Sequence, residues 1–259
     1  MLIPERQSRL KELLARRGMS DLDTLSSELG VSQSTVRRDL ELLEQSGLVQ
    51  RTHGGVIWIG DRTNGAAGPG GRPYAFDARM NFQVEAKRQI ARAARALVKP
   101  GDTILLDGGT STFYLAQELL DQPLQLVTNS LPIANLFLND EHVEVVLIGG
   151  MLYPRYGVLL GPMAEQALAP IHTKTLFFSV AGIHDAALYN QNLLLVQAER
   201  RMMDQSQQIV LLADSGKFGQ QALAKLCDLK DVDVVVTDGG IGNEQRRQVK
   251  EAGCQLIVA

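Results

Sequence analysis

The residues best suited to chemistry fall at 103–116, TILLDGGTSTFYLA. A strand-like apolar run ends at Asp107, two glycines (Gly108, Gly109) turn the chain, and Thr110, Ser111 and Thr112 open a helical pattern. Backbone N–H groups at a helix start have no intrahelical partner, and hydroxyls beside them add donors, so this turn suits a phosphate. It is not a Walker loop, because no Gly-Lys-Ser/Thr follows, and it is not G-x-G-x-x-G, so a nucleotide is not implied. Three further apolar runs end in polar or glycine-rich groups: VTNS (127–130), IGG (148–150) and ADSGKFG (213–219). In an open parallel sheet, ligands bind outside the carboxyl ends of the strands. The four segments are therefore expected to share one anion site, with Lys217 holding a phosphate and Asp107 or Asp214 a sugar hydroxyl. Taken singly, each has a plainer reading: Asn129 and Ser130 as a cap for a helix starting at Leu131, Asp214 and Ser215 as a turn.

A second constellation lies near the start. DLDTLSSELG (21–30) places Leu22, Leu25 and Leu29 on one helical face and stops at Gly30. VSQSTVRRDLELLEQSG (31–47) begins a second helix with Ser32 at the N-cap and buries Val36, Leu40 and Leu43. A short helix, a tight turn and a second helix make helix-turn-helix spacing. Burying Val36 and Leu40 turns Ser34, Thr35, Arg37 and Arg38 outward near the helix start, where side chains reach base edges and phosphates in a major groove. LVQRTHGGVIW (48–58) then reads as a two-stranded wing around a His-Gly-Gly turn, offering Arg51 and His53 to the DNA backbone. The plainer alternative for Arg37 and Arg38 is a solvated helix face.

These residues need elements to hold them. The stretch GDRTNGAAGPGGRP (60–73) has five Gly and two Pro in fourteen positions, which no helix or central strand tolerates. Before it the patterns are helical. After it, apolar runs at 103–107, 124–128, 143–148, 175–180, 208–213, 233–237 and 255–259 alternate with helical patterns at 111–120, 131–138, 195–205 and 243–253. That alternation predicts a mainly parallel sheet covered on both faces. The expected organisation is a winged helix-turn-helix domain at 1–59, a linker at 60–74 and an α/β sensing domain at 75–259. The segment GIHDAALYNQN (182–192) reads as a loop that sets ligand choice.

Composition narrows the function classes. At 259 residues, with 45% hydrophobic and 21% charged residues, the chain suits two folded domains rather than a disordered polymer. No apolar run approaches the ~20 residues that span a bilayer, and MLIPERQSRLKELLARRG lacks a signal core, so no membrane is expected and the compartment is taken as the cytoplasm. Cys227 and Cys254 make no disulfide framework, and His142, His172 and His184 lack ligand spacing, so neither metal nor cofactor is assigned. Net charge is −3, and residues 1–60 hold eight basic and eight acidic side chains. DNA affinity must then come from where the positive charges sit rather than from their number.

The string ERQSRLKELLARRG followed by VSQSTVRRDLELLEQSGLVQRTHGG resembles the head of DeoR-type bacterial transcriptional regulators, covering nearly all of 3–58. The strings LDGGTSTFYLA, VTNSLPIA, VLIGGMLYP, LLGPMAE, LADSGKFG and VVVTD are similar to the sensor domain of the same family, over about 75–259. That resemblance implies a ribose-5-phosphate-isomerase-like α/β body that binds a phosphorylated sugar or related metabolite. It implies effector contacts at Asp107, Gly109, Thr110, Ser111, Thr112, Thr128, Asn129, Ser130, Gly150, Asp214 and Lys217, and places Ser34, Thr35, Arg37 and Arg38 on the recognition helix; with Ser32 at the cap and Arg51 and His53 of the wing these make the expected DNA contacts. The chain departs from the family in reading Ser111 where Thr is common and Gly216 where Ser is common; the first keeps a hydroxyl and the second loses one, which leaves the sugar's identity open.

The expected function is a transcriptional repressor of carbohydrate-use genes, with operator DNA and a small phosphorylated metabolite as partners, acting as a homo-oligomer, dimer or tetramer. An aldose–ketose isomerase would need a general base near the sugar carbon, for which Asp107, Asp214 and Glu199 are the available carboxylates. It stands as the alternative, beside a nucleic-acid binder with no ligand. Sequence leaves open the effector, the operator, the regulated genes and the sign of regulation.

Overall fold

The computed structural model describes residues 3–17, 19–45, 49–52, 55–58 and 76–259. The chain divides into two compact units, Met1–Ala66 and Ala67–Ala259. The expected linker at 60–74, like His53, lies outside the described residues.

In the first unit, α1 (Ile3–Arg17), β1 (Met19–Ser20), α2 (Leu22–Leu29) and α3 (Gln33–Gln45) precede β2 (Val49–Thr52) and β3 (Gly55–Trp58). Asp21 caps α2, its Oδ1 accepting the Thr24 N–H at 2.7 Å, and α2 stops at Gly30. Leu10, Leu14, Leu25, Leu29, Val36, Leu40 and Leu43 form a single apolar cluster that sets the three helices against one another. β2 and β3 pair antiparallel from Val49–Trp58 to Thr52–Gly55, and β1 adds to β3. This is a helix-turn-helix with a wing, as the leucine spacing and the strand-turn-strand pattern predict.

The second unit opens with α4 (Phe76–Met80) and α5 (Val84–Arg95). It continues with β4 (Thr103–Leu106), α6 (Thr110–Glu118), β5 (Leu124–Thr128), α7 (Leu131–Leu136), β6 (Val143–Leu147), β7 (Met151–Tyr153) and β8 (Val158–Leu160). Then come α8 (Pro162–Leu168), β9 (Thr173–Phe178), β10 (Gly182–His184), β11 (Ala187–Asn190), α9 (Leu193–Asp204) and β12 (Ser206–Leu212). Last are β13 (Ala224–Asp228), β14 (Val234–Thr237), α10 (Asn243–Glu251) and β15 (Gln255–Val258). Seven strands make one sheet in the order β15-β14-β12-β9-β4-β5-β6, and every neighbouring pair is parallel.

Successive side chains on a strand face opposite ways, and the core divides accordingly. Ile104, Leu106, Phe177, Val210 and Val236 bury against α5, α6 and α7 on one face, while Leu105, Leu176, Phe178, Leu211 and Val235 bury against α8, α9 and α10 on the other. Both faces being covered explains why these strands read as unbroken apolar runs. The expected loop at 182–192 is instead largely a hairpin, β10 with β11, extended by β13. Its turn residues, Asp185 and Ala186, both take positive φ (47° and 54°) without glycine, so the usual hairpin signal is missing from the sequence.

The two units have separate cores. Truncating Leu40 to Ala should cost about 2–5 kcal/mol of head stability. Calorimetry of the full chain is expected to show an earlier head transition with the transition of the larger unit unmoved; a matching shift in both would mean that the units unfold together.

Candidate functional site

The first candidate site is the exposed start of α3. Ser32 Oγ accepts the Thr35 N–H at 3.3 Å and lies 2.8 Å from Ser34 Oγ and 2.9 Å from Thr35 Oγ1, so these three hydroxyls form the N-terminal cap of α3. Val36 and Leu40 are buried; between them Arg37 and Arg38 are exposed and Asp39 is buried. Asp39 takes a two-pronged ion pair from Arg6 of α1, Nε at 2.6 Å and Nη2 at 3.1 Å, with Gln7 Nε2 at 3.4 Å. The acid beside the two arginines is thereby spent on holding α1, and its charge is turned away from any DNA. Among the described residues, nothing pairs with Arg37 or Arg38. Arg51 stands on β2, opposite Val56 on β3.

The second candidate site lies where the sheet changes direction. Strands β4, β5 and β6 run outward on one side, and the chain then returns to place β9 on the other side of β4. The carboxyl ends of β4 and β9 diverge there and leave a crevice. A cavity occupies it, with about 660 Å³ of empty space, part of it open to solvent. Asp107, Gly108, Gly109 and Thr110 follow β4, Ser179 to Ala181 follow β9, and Asp214 and Lys217 follow β12, and all line this space. The remaining wall includes Arg79 of α4, Lys87 of α5, Tyr156, Asn190 of β11 and Glu199 of α9.

The loop after β4 is built tightly. Asp107 Oδ1 accepts the Gly108 N–H at 2.6 Å, and Thr112 Oγ1 accepts the Gly109 N–H at 2.9 Å while donating toward Asp107 O at 2.6 Å. A Cβ on Gly108 would sit 1.9 Å from Val158 Cγ1, and one on Gly109 would sit 2.4 Å from Ser179 Oγ, so a side chain at either position would have to push its neighbour aside. The loop after β12 is anchored by Asp238, whose carboxylate takes the Ser215 N–H at 2.6 Å and the Ser215 hydroxyl at 2.8 Å. Lys217 Nζ donates to Val180 O, and Lys87 Nζ donates to Arg79 O and Phe82 O.

Of the expected effector contacts, the fold brings Asp107, Gly109, Thr110, Asp214 and Lys217 to the cavity wall. Ser111, Thr112, Thr128, Asn129, Ser130 and Gly150 are not part of that wall. Thr112 closes the loop from behind, and Ser111 is fully buried with its Oγ unpartnered. Thr128 Oγ1 donates to Leu106 O at 2.7 Å and accepts the Ser130 N–H at 3.1 Å; Ser130 caps α7. Gly150 turns the chain at φ +145°, where a Cβ would meet Leu160 O at 2.8 Å. The cause is strand order: β5 and β6 lie beyond β4, away from β9 and β12. Arg79, Lys87, Tyr156 and Ser179 were not expected in the site, whereas Asn190 belongs to the 182–192 segment expected to set ligand choice; for the other four, a lysine in an amphipathic helix is the one signal the sequence offers. Elsewhere Asp121, Asp140 and His142 come together, but both Asp140 oxygens already accept backbone N–H groups, from His142 and Asp121, at 2.9 Å each.

The cavity holds buried acids. Asp107 is pushed up to about 6 by burial, against the pull of the Gly108 and Ser179 N–H groups and the charges of Arg79 and Lys217. Glu199 is raised well above the usual carboxylate range by burial and by the neighbouring Asp107 charge; its Oε1 takes the Asn190 amide at 2.5 Å.

A carboxyl whose folded value lies above its unfolded one holds its proton longer in the native state. Stability is therefore lost as pH rises from about 4 through 6, by roughly 3 kcal/mol in all. Asp107→Asn keeps the acceptor for the Gly108 N–H and removes the charge. Urea unfolding should find that variant more stable than wild type at pH 7, with the gain fading by pH 4; a gain independent of pH would exclude buried charge as the cause.

Residues 82–239 match the DeoR C-terminal sensor domain and residues 6–61 match the DeoR-like helix-turn-helix domain. The chain is 33% identical over 243 residues to an uncharacterized HTH-type transcriptional regulator, YulB, of Bacillus subtilis, covering 93% of this chain and 91% of that one. It is 31% identical over 257 residues to a protein of Escherichia coli O157:H7 whose name proposes it as the transcriptional repressor of the aga operon, covering 98% and 93%. Among solved structures, ribose 5-phosphate isomerase A of Methanocaldococcus jannaschii shares 17% identity at a TM-score of 0.39, over 52% of this chain and 54% of that one; so slight a likeness decides nothing about activity.

Proposed function

The chain belongs to the DeoR family of transcriptional regulators, and from that premise we propose how its two sites divide the work. The head binds operator DNA through the start of α3, with Arg37 and Arg38 reaching bases or phosphates and Ser32, Ser34 and Thr35 contacting the backbone. Arg51 and His53 of the wing add backbone contacts. The larger unit binds a phosphorylated sugar or related metabolite, and occupancy changes operator affinity. The protein represses genes of carbohydrate use in the cytoplasm; among the described residues no helix is long and apolar enough to cross a membrane.

One observation carries the effector site. Asp107 and Thr110 from the end of β4 and Asp214 and Lys217 from the end of β12, more than a hundred residues apart in sequence, line one cavity at the switch point of the sheet. A phosphate at the start of α6 would meet unpaired N–H groups and the Thr110 hydroxyl, near the Lys217 charge. Sugar hydroxyls suit Asp107, Asn190 and Glu199. Ser111, Thr112, Thr128, Asn129, Ser130 and Gly150 then act by shaping the loops behind this site. The relatives are named as regulators, which sets the isomerase alternative aside.

A single head carries as many acidic as basic side chains and so offers few phosphate contacts, which favours a dimer or tetramer on repeated or palindromic sites. Fluorescence anisotropy on DNA from upstream of the chain's own gene, against scrambled DNA at fixed salt and with a panel of sugar phosphates, tests the whole reading. Arg37→Ala or Arg38→Ala should lose about 1–3 kcal/mol of operator binding with the fold intact. Thr110→Val or Lys217→Ala should bind DNA normally and respond weakly to the effector. Full operator affinity in both arginine variants, or a full effector response in the Thr110 and Lys217 double variant, would contradict the assignments.

A further inference from the structure

Arg79 is an anomaly. The residue is half-buried, but its Nε and Nη2 are sealed from solvent and meet no acceptor. A guanidinium cannot shed its proton in a protein, so a buried one without a partner is costly. Burial is also the main influence on its pKa, which is lowered. What it has is the face of Tyr156, 5.2 Å from the ring centroid, and two carboxyls of the same cavity, Asp107 and Glu199, neither within ion-pair distance. The other two cations of the wall are already engaged, since Lys87 and Lys217 donate to backbone carbonyls. Of the three cations that line the cavity among the described residues, Arg79 is the one with side-chain donors lacking any partner, and because they are covered, a ligand reaches them only if α4 or a neighbouring side chain shifts. Two of them, Nε and Nη2, sit side by side in the fork that matches a phosphate or carboxylate.

Its position adds a consequence. Arg79 stands on α4, five residues long and the first described element after the glycine- and proline-rich stretch that joins the larger unit to the head. A helix that short has no stability of its own and keeps its place through contacts. Among the described residues those contacts are the Phe76 ring edge-on to Phe113, the Phe76 N–H to Arg155 O at 3.0 Å, Tyr114 OH to Met80 O at 3.2 Å, the Arg79 guanidinium over Tyr156, and the Phe82 N–H and Lys87 bonds to Arg79 O.

We propose that Arg79 is the receptor for an oxyanion of the effector, and that this bond fixes α4 and so reports occupancy to the segment leading to the head. This rests on the reading of the cavity as the effector site and adds to it a residue outside the strand-end motifs. The ligand's anionic group completes the pocket and the short helix at once. Phosphate and carboxylate share the chemistry.

The experiment uses the full chain with D-ribose 5-phosphate, D-ribonate and neutral D-ribose as probes, binding read by calorimetry and local order by amide hydrogen exchange. Wild type should bind one or both anions in preference to ribose, with slowed exchange over 76–82. Preference for D-ribose 5-phosphate assigns the fork to phosphate, and preference for D-ribonate assigns it to carboxylate. Arg79→Gln should bind about tenfold or more weakly, with no slowing over 76–82, and Arg79→Lys should fall between. Without ligand, Arg79→Gln should melt at or above the wild-type temperature, because it removes an unpaired buried charge; a merely structural arginine would lower it. Unchanged anion affinity in Arg79→Gln, with Thr110→Val still weakened, overturns the Arg79 assignment and leaves the cavity as the effector site. Anion binding without slowed exchange over 76–82 overturns the reporting role. No binding of either anion to wild type removes the site and Arg79 together.

Discussion

A sheet buried on both faces has only its ends to offer to solvent, and that constraint shapes the larger unit. Seven parallel strands lie under helices on each side, so every loop that could carry chemistry is gathered at the carboxyl edge. Where β4 and β9 part, the edge opens into a crevice that no apolar side chain fills. Three cations and three carboxylates line it: Arg79, Lys87 and Lys217 with Asp107, Glu199 and Asp214. Each would be expensive to bury alone; together they offset one another, and backbone groups take most of what remains. Asp107 sits at the centre of this arrangement. Its carboxylate fixes the Gly108 N–H and its carbonyl takes the Thr112 hydroxyl, so it shapes the loop that opens α6.

The same constraint explains which parts of the fold were legible in the sequence. Strands covered on both faces need continuous apolar runs, and all seven runs from 103–107 to 255–259 became strands of the one sheet. Neighbour relations were not legible, because strand order is a property of the packed helices and leaves no local mark. For that reason VTNS and IGG looked equivalent to DGGTST and ADSGKFG, although β5 and β6 lie on the far side of β4 from β9 and β12. The hairpin of β10 and β11 escaped notice because its turn uses Asp185 and Ala186 at positive φ where glycine or asparagine would have given it away. Arg79 escaped because nothing around it repeats a phosphate-binding pattern; its meaning comes from Tyr156 and Glu199, which lie far along the chain.

In the head the sequence says more, since helix-turn-helix geometry is local. Leucine spacing gives the faces, Gly30 the turn and Ser32 the cap. The surprise is the use of Asp39. Counted as charge it cancels one of the arginines beside it, and the eight-to-eight balance over residues 1–60 makes the head look neutral. In the fold it faces the other way and pairs with Arg6. One acid and one base are thereby withdrawn into the core, and Arg37 and Arg38 are left exposed, with no acid paired to them among the described residues. Net charge describes the chain; the field at α3 depends on which charges are spent on folding.

Control of DNA binding asks for more than two good sites. A ligand shifts an equilibrium only by the difference in its affinity for the two states, so it must bond something whose position differs between them. The strand-end loops are poor candidates for that part. A Cβ at Gly108 or Gly109 would press on Val158 or Ser179, and Asp238 ties the loop after β12 through the Ser215 N–H and hydroxyl, so both loops are held whether or not a ligand is present. On the proposed reading they preorganise the pocket and set its affinity. The variable wall has to be an element with few contacts of its own, close in sequence to the joining segment, and α4 meets both conditions. On the reading proposed for this cavity, a rigid edge selects the ligand and a marginal helix answers to it, which divides recognition from response.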